Sequence, residues 1–252
     1  MTVRNGSYPD PALAGAHAAF FSHWRVGTPE RQQAAVDAID AAWLKRPWPG
    51  EWLLGYHVYA STDGELLLHY SQWTEQSAHG GYVGRGQRDE RVAEIDAAVP
   101  GIERFGLTPT SRYRSVSRRN AEPGDGPHRG SGGEHGPQLG GEPGCLVLVD
   151  VTFDGPDEER QRAWVDAVLE ALADDSAPHP GGLSAHFHLS SDGTRVLNYA
   201  EWTDEQAHLD ALAAPGDGAG GPTAAWRRVQ EFPGLTGSTV RRYRLATSLR
   251  PH

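Results

Sequence analysis

The chain contains one segment twice, and this duplication constrains the fold more than any other feature. Residues 47–79 and 178–208 both begin with Pro-x-Pro-Gly, pass through a histidine-centred strand and an Asp-Gly turn, and end in Tyr-x-x-Trp-Thr and Ala-His. With one two-residue gap near Glu51, the matches at an offset of 129 residues are His57/His186, Asp63/Asp192, Gly64/Gly193, Tyr70/Tyr199, Trp73/Trp202, Thr74/Thr203 and His79/His208. The period is too long for a solenoid, so the pattern indicates a duplicated domain.

Composition limits the class of protein. A chain of 252 residues accommodates two domains that each bury a core. The net charge of -10 argues against nucleic acid or an anionic membrane as a partner. No apolar run approaches the roughly 18 residues of a membrane span, and the N-terminus lacks the order of a signal peptide. Because a single cysteine, Cys145, excludes an internal disulfide, we expect a soluble cytoplasmic protein.

Each half has the pattern β-α-β-β-α-β, which is the ferredoxin-like arrangement. In the first half, Thr28-Pro29 predicts a helix start after the first strand, and Asp63-Gly64 predicts a tight hairpin turn. Residues 1–13 are predicted to be a tail. Helices cover one face of each sheet, so the other face needs a partner. We therefore predict an α+β fold with two tandem ferredoxin-like domains of the dimeric α/β-barrel type, their antiparallel sheets packed face to face.

The predicted domains are residues 1–118 and 145–252. Between them, residues 119–144 are rich in glycine and proline and contain few apolar residues, so we predict a disordered linker. Its length allows the halves to pair within one chain as a pseudo-dimer. Whether two chains pair further into a homodimer stays open.

Polar side chains on the predicted strands are the first candidates for a site. Strand alternation places His186 and His188 on one face, and Asn198 and Trp202 on one face of the neighbouring strand. The prediction is that all four share a single sheet face, and that the first half gathers equivalent residues in the same way. A lone histidine in such a position is more often structural, but a polar cluster on a covered face suggests a lined pocket.

The sequence contains no convincing motif for a metal or a tightly bound cofactor. His186-x-His188 could present two imidazoles, but residues Leu189 to Val196 contain no carboxylate except the turn residue Asp192. The chain has no Gly-x-Gly-x-x-Gly after a strand, no phosphate-binding loop and no Gly-x-Ser-x-Gly turn. We therefore predict neither a metal nor a tightly bound cofactor.

Two such halves, each with Tyr-x-x-Trp-Thr before a helix, resemble the antibiotic biosynthesis monooxygenase family. The best-matching segment is Asn198-Tyr199-Ala200-Glu201-Trp202, with His188 ten residues before the asparagine. That family includes small oxygenases that convert anthrones to quinones without metal or flavin. The resemblance implies a cofactor-independent monooxygenase that uses O2 as co-substrate on a small-molecule polycyclic aromatic polyketide, in antibiotic or pigment biosynthesis.

The resemblance also suggests roles for individual residues. The catalytic candidates are Asn198, Trp202, His188 and His186, and the substrate-binding candidates are His208, Tyr199, Trp73, His69, His57 and Tyr59. Histidine replaces the family's tyrosine in both halves, at His79 and His208. In the first half His69 stands in place of the asparagine, so the principal site is predicted in the second half, where a histidine would remove the substrate proton.

Two other functions remain open. The same histidine could enolise a substrate without O2, which would make the protein a polyketide cyclase or isomerase. The chain could also be a haem-binding or other ligand-binding protein, or a non-catalytic partner in a biosynthetic complex. Haem-degrading relatives carry an axial histidine about ten residues after the tryptophan, where this chain has Val83 and Leu212, and this argues against haem.

Overall fold

The computed structural model describes residues 1–117, 142–174, 179–214 and 220–252. The first half contains β1 (Thr2–Asn5), β2 (Ala18–Arg25), α1 (Pro29–Leu44), β3 (Leu53–Ser61), β4 (Leu66–Trp73), α2 (Ser77–Gly84), α3 (Gln87–Ala98) and β5 (Glu103–Ser117). The second half contains β6 (Cys145–Phe153), α4 (Glu158–Ala173), β7 (Gly182–Ser190), β8 (Arg195–Trp202), α5 (Glu205–Ala213), α6 (Ala224–Gln230) and β9 (Leu235–Pro251). Apart from residues 142–144, the predicted linker lies outside the described residues.

The strands form one closed, antiparallel barrel. Its ring of eight strands runs β9-β3-β4-β2-β5-β7-β8-β6 and closes where β6 pairs with β9. The predicted α+β class and antiparallel sheet are confirmed. The prediction of two separate sheets is wrong, because pairing continues from one half into the other. Opposite walls of the barrel do face each other across a shared core.

Two long strands join the halves. The first part of β5 pairs with β2, and the part from Thr110 to Ser117 pairs with β7. In the same way β9 pairs first with β6 and then, from Tyr243 to Leu249, with β3. Strands of 15 and 17 residues are well above the usual five or six, so each extends past its own half. Their outer parts supply the hydrogen bonds that would otherwise be missing at a sheet edge.

Three apolar cores follow from this arrangement. One lies between the outer face of the first-half strands and α1 and α3, and a second lies between the second-half strands and α4 and α6. The third fills the barrel and combines residues of both halves, including Phe21, Tyr59, Tyr70, Tyr199 and Tyr243. No helix in the described part of the chain is long and apolar enough to cross a membrane.

Equivalent glutamines fix each main helix to its hairpin. Thr28 and Asp157 cap the helices α1 and α4 as their sequences predict. From α1, the Gln32 amide donates to the carbonyl oxygens at both ends of the β3–β4 turn, and Gln161 of α4 does the same at the β7–β8 turn. Both glutamines are buried, so these bonds also satisfy polar atoms that have lost water.

The N-terminal segment is not a tail, contrary to the prediction. Residues Thr2–Asn5 form β1, which pairs with the end of β9. Tyr8 then lies 5.9 Å from Tyr59, ring centre to ring centre, and its hydroxyl accepts a hydrogen bond from the Leu245 amide at 3.2 Å. The segment is short and polar, and its order comes from the free edge that β9 offers rather than from its own sequence.

Candidate active site

The register of the β7–β8 hairpin divides the predicted catalytic residues between two faces. His186 lies opposite Tyr199, whereas Asn198 lies opposite Phe187. Directly opposed residues in an antiparallel pair share a face, so the predicted single cluster of two histidines, Asn198 and Trp202 is wrong. His186 and His188 face the barrel interior, while Asn198 and Trp202 face the helices. The connection of residues 191–194, which contains Asp192-Gly193, fixes this register, and the prediction did not use it.

The first half divides in the same way. His57 lies opposite Tyr70, and Val58 lies opposite His69. His57 and Tyr59 therefore point into the barrel, whereas His69 and Trp73 lie on the helix-covered face. A substrate that contacts Trp73 or Trp202 cannot also contact the barrel residues, because the sheet lies between them.

The residues inside the barrel form a sealed hydrogen-bonded interior. The Tyr59 and Tyr199 hydroxyls lie 2.6 Å apart, and both side chains are fully buried. His57 Nδ1 lies 2.9 Å from the Ser248 hydroxyl. At the equivalent place in the second half, His186 Nδ1 lies 2.9 Å from the hydroxyl of Ser115. Each of these bonds connects the two halves and satisfies polar groups that water cannot reach.

Burial controls the ionisation of these groups. It lowers the pKa of His57 and of His188 to about 3, because a charged imidazole would lose its hydration. Burial likewise raises the pKa values of the Tyr59 and Tyr199 hydroxyls well above their ordinary value. All four groups are neutral at pH 7 and contribute to the structure of the barrel core.

The outer cleft is the name used here for the helix-side surface of the second half that carries Asn198, Trp202 and His208. Trp202 and His208 are in contact, whereas Asn198 lies four residues before Trp202 on the same face of β8, about 13 Å away. The helix α5 supplies His208 because Asp204 caps that helix immediately after the strand. The Trp202 and His208 rings meet edge to face, with 4.9 Å between their centres. Asn198 and Trp202 are partly exposed, while His208 is buried. This cleft is the candidate active site.

An arginine from β9 determines the protonation of His208. The Arg242 Nε–H donates to His208 Nδ1 at 2.9 Å, so the neutral imidazole carries its proton on Nε2. Burial, and secondarily the charge of Arg242, lowers the pKa of His208 to about 4. His208 is therefore suited to donate a hydrogen bond from Nε2 rather than to accept a proton.

Sequence reasoning missed two residues of this cleft. His179 lies 6.0 Å from Trp202, ring centre to ring centre, and its Nδ1 accepts from the Gly181 amide at 3.1 Å. The repeated Pro-x-Pro-Gly motif contains His179 and was the available signal. No local signal marks Arg242, which reaches His208 only because β9 follows β6 in the barrel.

The corresponding cleft of the first half is filled by its own side chains. The Trp73 indole stacks on Trp52 at 5.2 Å and donates its N–H to the Ser71 hydroxyl at 2.8 Å. His79 stacks on Phe20 at 4.6 Å. In addition, His69 Nδ1 is 2.6 Å from the Tyr56 hydroxyl.

The second half keeps its polar groups available. The Asn198 Oδ1 atom is buried without a hydrogen-bond partner among the described residues. Ala200 occupies the position of Ser71, so within the same described ranges the Trp202 indole N–H has no partner either. A buried acceptor without a partner is costly, and it marks a place where a ligand donor fits. In the part of the chain that the structure describes, no three His, Cys, Asp or Glu side chains form a metal-binding group.

The cleft lies in a segment with a known family pattern. Residues 146–216 match the antibiotic biosynthesis monooxygenase family, and this range includes β8 and α5. The second half of the chain thus contains a segment of this family. The resemblance expected from Asn198 to Trp202 is therefore confirmed.

Individual proteins are similar to all or part of this chain. The tetracenomycin-F1 monooxygenase of Streptomyces glaucescens is 41% identical over 63 residues, which are 25% of this chain and 54% of that relative. The chain thus matches about half the length of that relative. A solved anthrone oxidase-like protein is 18% identical, covers 92% of each chain and has a TM-score of 0.62, which shows a shared fold. A Streptomyces coelicolor monooxygenase solved with nanaomycin D is 31% identical over 40% of this chain and 87% of its own, with a TM-score of 0.33.

Proposed function

We propose that the protein is a cofactor-independent monooxygenase that uses O2 to oxidise a polycyclic aromatic polyketide from an anthrone-type compound to a quinone. Support comes from the family match and from the tetracenomycin-F1 monooxygenase, whose name specifies monooxygenation of tetracenomycin F1. The proposed site is the outer cleft of the second half. The observation that carries this choice is the difference in hydrogen bonding between Trp202 and Trp73.

The cleft residues match the groups of such a substrate. A phenolic anthrone presents O–H and C=O groups on a flat apolar framework. The buried Oδ1 of Asn198 would accept from a substrate hydroxyl, and the Trp202 indole N–H would donate to the oxygen that becomes anionic. His208 would supply a second donor from Nε2, since Arg242 occupies its other nitrogen.

The proposed reaction balances without a further reductant. A base removes a proton from the ring CH2 group, and the carbanion transfers an electron to O2. Recombination and protonation give a hydroperoxide, which loses water to form the carbonyl, so one CH2 and one O2 give one C=O and one H2O.

A pair of matched variants tests the location of the site. Trp202→Phe removes one donor and keeps most of the ring volume, so O2 uptake with dithranol as a model anthrone should fall about ten- to a thousandfold. Trp73→Phe is the control, because its N–H is already bonded to Ser71, and it should change turnover only slightly. Melting temperatures show whether both variants fold. A larger loss in Trp73→Phe would place the site in the first half.

The same assay tests cofactor independence and the alternative reaction. Metal-stripped protein should consume one O2 for each quinone formed. Loss of turnover on chelation, together with stoichiometric metal by elemental analysis, would refute cofactor independence. Conversion of a polyketide without O2 would instead favour the cyclase.

We also propose that residues 1–118 and 145–252 are two ferredoxin-like domains that pair within one chain. Their repeated order of elements and the exchanged ends of β5 and β9 support this division.

A further inference from the structure

A second cavity lies at one mouth of the barrel, on the face of the sheet opposite the cleft. It has a volume of about 360 Å³, near the lower end of the roughly 300–1,000 Å³ typical of ligand pockets. Phe21 and Leu197, both part of the barrel core, line its inner end. Phe105 and Leu107 line its outer part, and they are 44% and 45% exposed. Large apolar side chains so exposed beside a cavity suggest contact with an apolar ligand.

One polar atom in this cavity lacks a partner. The Nε2 atom of His23 is buried and makes no hydrogen bond to any residue that the structure describes. Burial, with a smaller effect from Arg241, lowers the pKa of His23 to about 4, so its ring is neutral at pH 7. A neutral imidazole nitrogen makes one hydrogen bond to a hydroxyl or a carbonyl group.

The charged groups of the cavity are already paired. The Arg195 guanidinium donates to both carboxylate oxygens of Asp150 and, at 3.0 Å, to the Thr108 hydroxyl. Asp192 adds a further carboxylate to the lining. An anionic ligand would therefore lose its hydration without gaining an unpaired cation among the residues that line the cavity.

We infer that this cavity, named here the mouth site, binds a small, flat, uncharged aromatic molecule with a hydroxyl or carbonyl group. The aromatic rings pack against Phe21 and Phe105, and the polar group bonds to His23. The mouth site is separate from the cleft, because Leu197 and Asn198 are consecutive residues on opposite faces of β8. The inference does not depend on the proposed oxygenation.

Binding of 1,8-dihydroxyanthraquinone, measured by calorimetry and by ligand-to-methyl NOEs, tests the mouth site. NOEs to Leu107 and Leu197 should appear, and they should persist in Trp202→Phe even when turnover falls. His23→Leu should weaken this binding about fivefold through the loss of one hydrogen bond. Leu107→Arg, at an exposed position, should weaken it about tenfold or more by placing a charge over the apolar opening.

Val240→Arg is the matched control, because Val240 is 47% exposed and lies on β9 outside the mouth site. It should leave the affinity unchanged, and naphthalene-2-sulfonate should bind weakly. The inference is refuted if no NOE reaches Leu107 or Leu197, or if both cavity variants bind the quinone within twofold of the native protein. Equal affinity for the sulfonate would refute the preference for an uncharged ligand.

Discussion

Three buried histidines should make the stability of the protein depend steeply on pH between 7.5 and 5.5. His57, His69 and His188 are 4%, 5% and 1% exposed. Burial lowers the pKa of each to about 3, compared with an ordinary value near 6.5. Their exposure is so low that little solvent screening reduces the effect.

The sign follows from comparing the folded and unfolded chains. Well above pH 6.5, near pH 8 and higher, these histidines are neutral in both states and do not favour unfolding. As the pH falls through 6.5, these histidines become protonated in the unfolded chain, whereas in the folded protein they stay neutral until about pH 3. The unfolded state therefore binds more protons, and the free energy of unfolding decreases throughout this window. Between pH 7.5 and 5.5 the loss is about 1.4 kcal/mol for each histidine, or about 4 kcal/mol for the three. That is a large part of the roughly 5–15 kcal/mol of a typical domain. His208 and His23, whose pKa values burial lowers to about 4, change stability in the same direction.

Urea unfolding at pH 7.5, 6.5 and 5.5, at constant ionic strength, measures this loss. The window lies above the range in which most carboxylates titrate, so histidines dominate the change. His57→Gln keeps a polar partner for Ser248 and should reduce the pH-dependent loss by about 1.4 kcal/mol. His17→Gln, at an exposed position, is the control. A total loss below about 1.4 kcal/mol, or equal slopes in native protein and His57→Gln, would refute the reasoning.

Three further predictions follow from contacts between the halves and in the cleft. Arg242→Gln should raise the pKa of His208 from about 4 towards 6.5 without reaching it, because burial is the larger cause; an NMR titration that finds no rise contradicts the assigned contact. Tyr59→Phe should cost about 1–3 kcal/mol by leaving the Tyr199 hydroxyl buried and unpaired, and replacing both tyrosines should cost little more; additive losses in urea unfolding would contradict a direct bond. Cleavage near Gly132, outside the described residues, should leave two pieces that elute together on a sizing column at micromolar concentration, and separation would show that the shared barrel does not hold them.

Strand alternation and the duplication predicted much of the fold. Local patterns placed the helix start at Thr28 and both Asp-Gly hairpins correctly. The prediction of a single-face cluster was wrong because it used only the alternation within each strand. Alternation shows which residues of one strand share a face, but only the pairing register of the hairpin shows which residues of the neighbouring strand lie on that same face. The Asp192-Gly193 turn held that information. The register change inside β5, where pairing passes from β2 to β7, has no comparable local signal.

Only part of the candidate site could be predicted from the sequence. Trp202 and His208 are in contact because they come from one strand and the helix that follows it, and Asn198 lies on the same face of that strand. Arg242 was missed because its contact with His208 depends on the closure of the barrel, a long-range event that no window of residues contains.

Placing both halves on one polypeptide removes a constraint that two identical subunits would obey. In a symmetric pair of identical chains, every substitution in one cleft appears in the other, so neither can change alone. Here Ser71 and Ala200 occupy matching positions. The Ser71 hydroxyl accepts a hydrogen bond from the Trp73 indole N–H, whereas the Ala200 methyl group cannot accept one from Trp202. The first half can therefore accumulate aromatic packing that stabilises the barrel, while the second half retains the unpaired polar groups on which the proposed reaction depends.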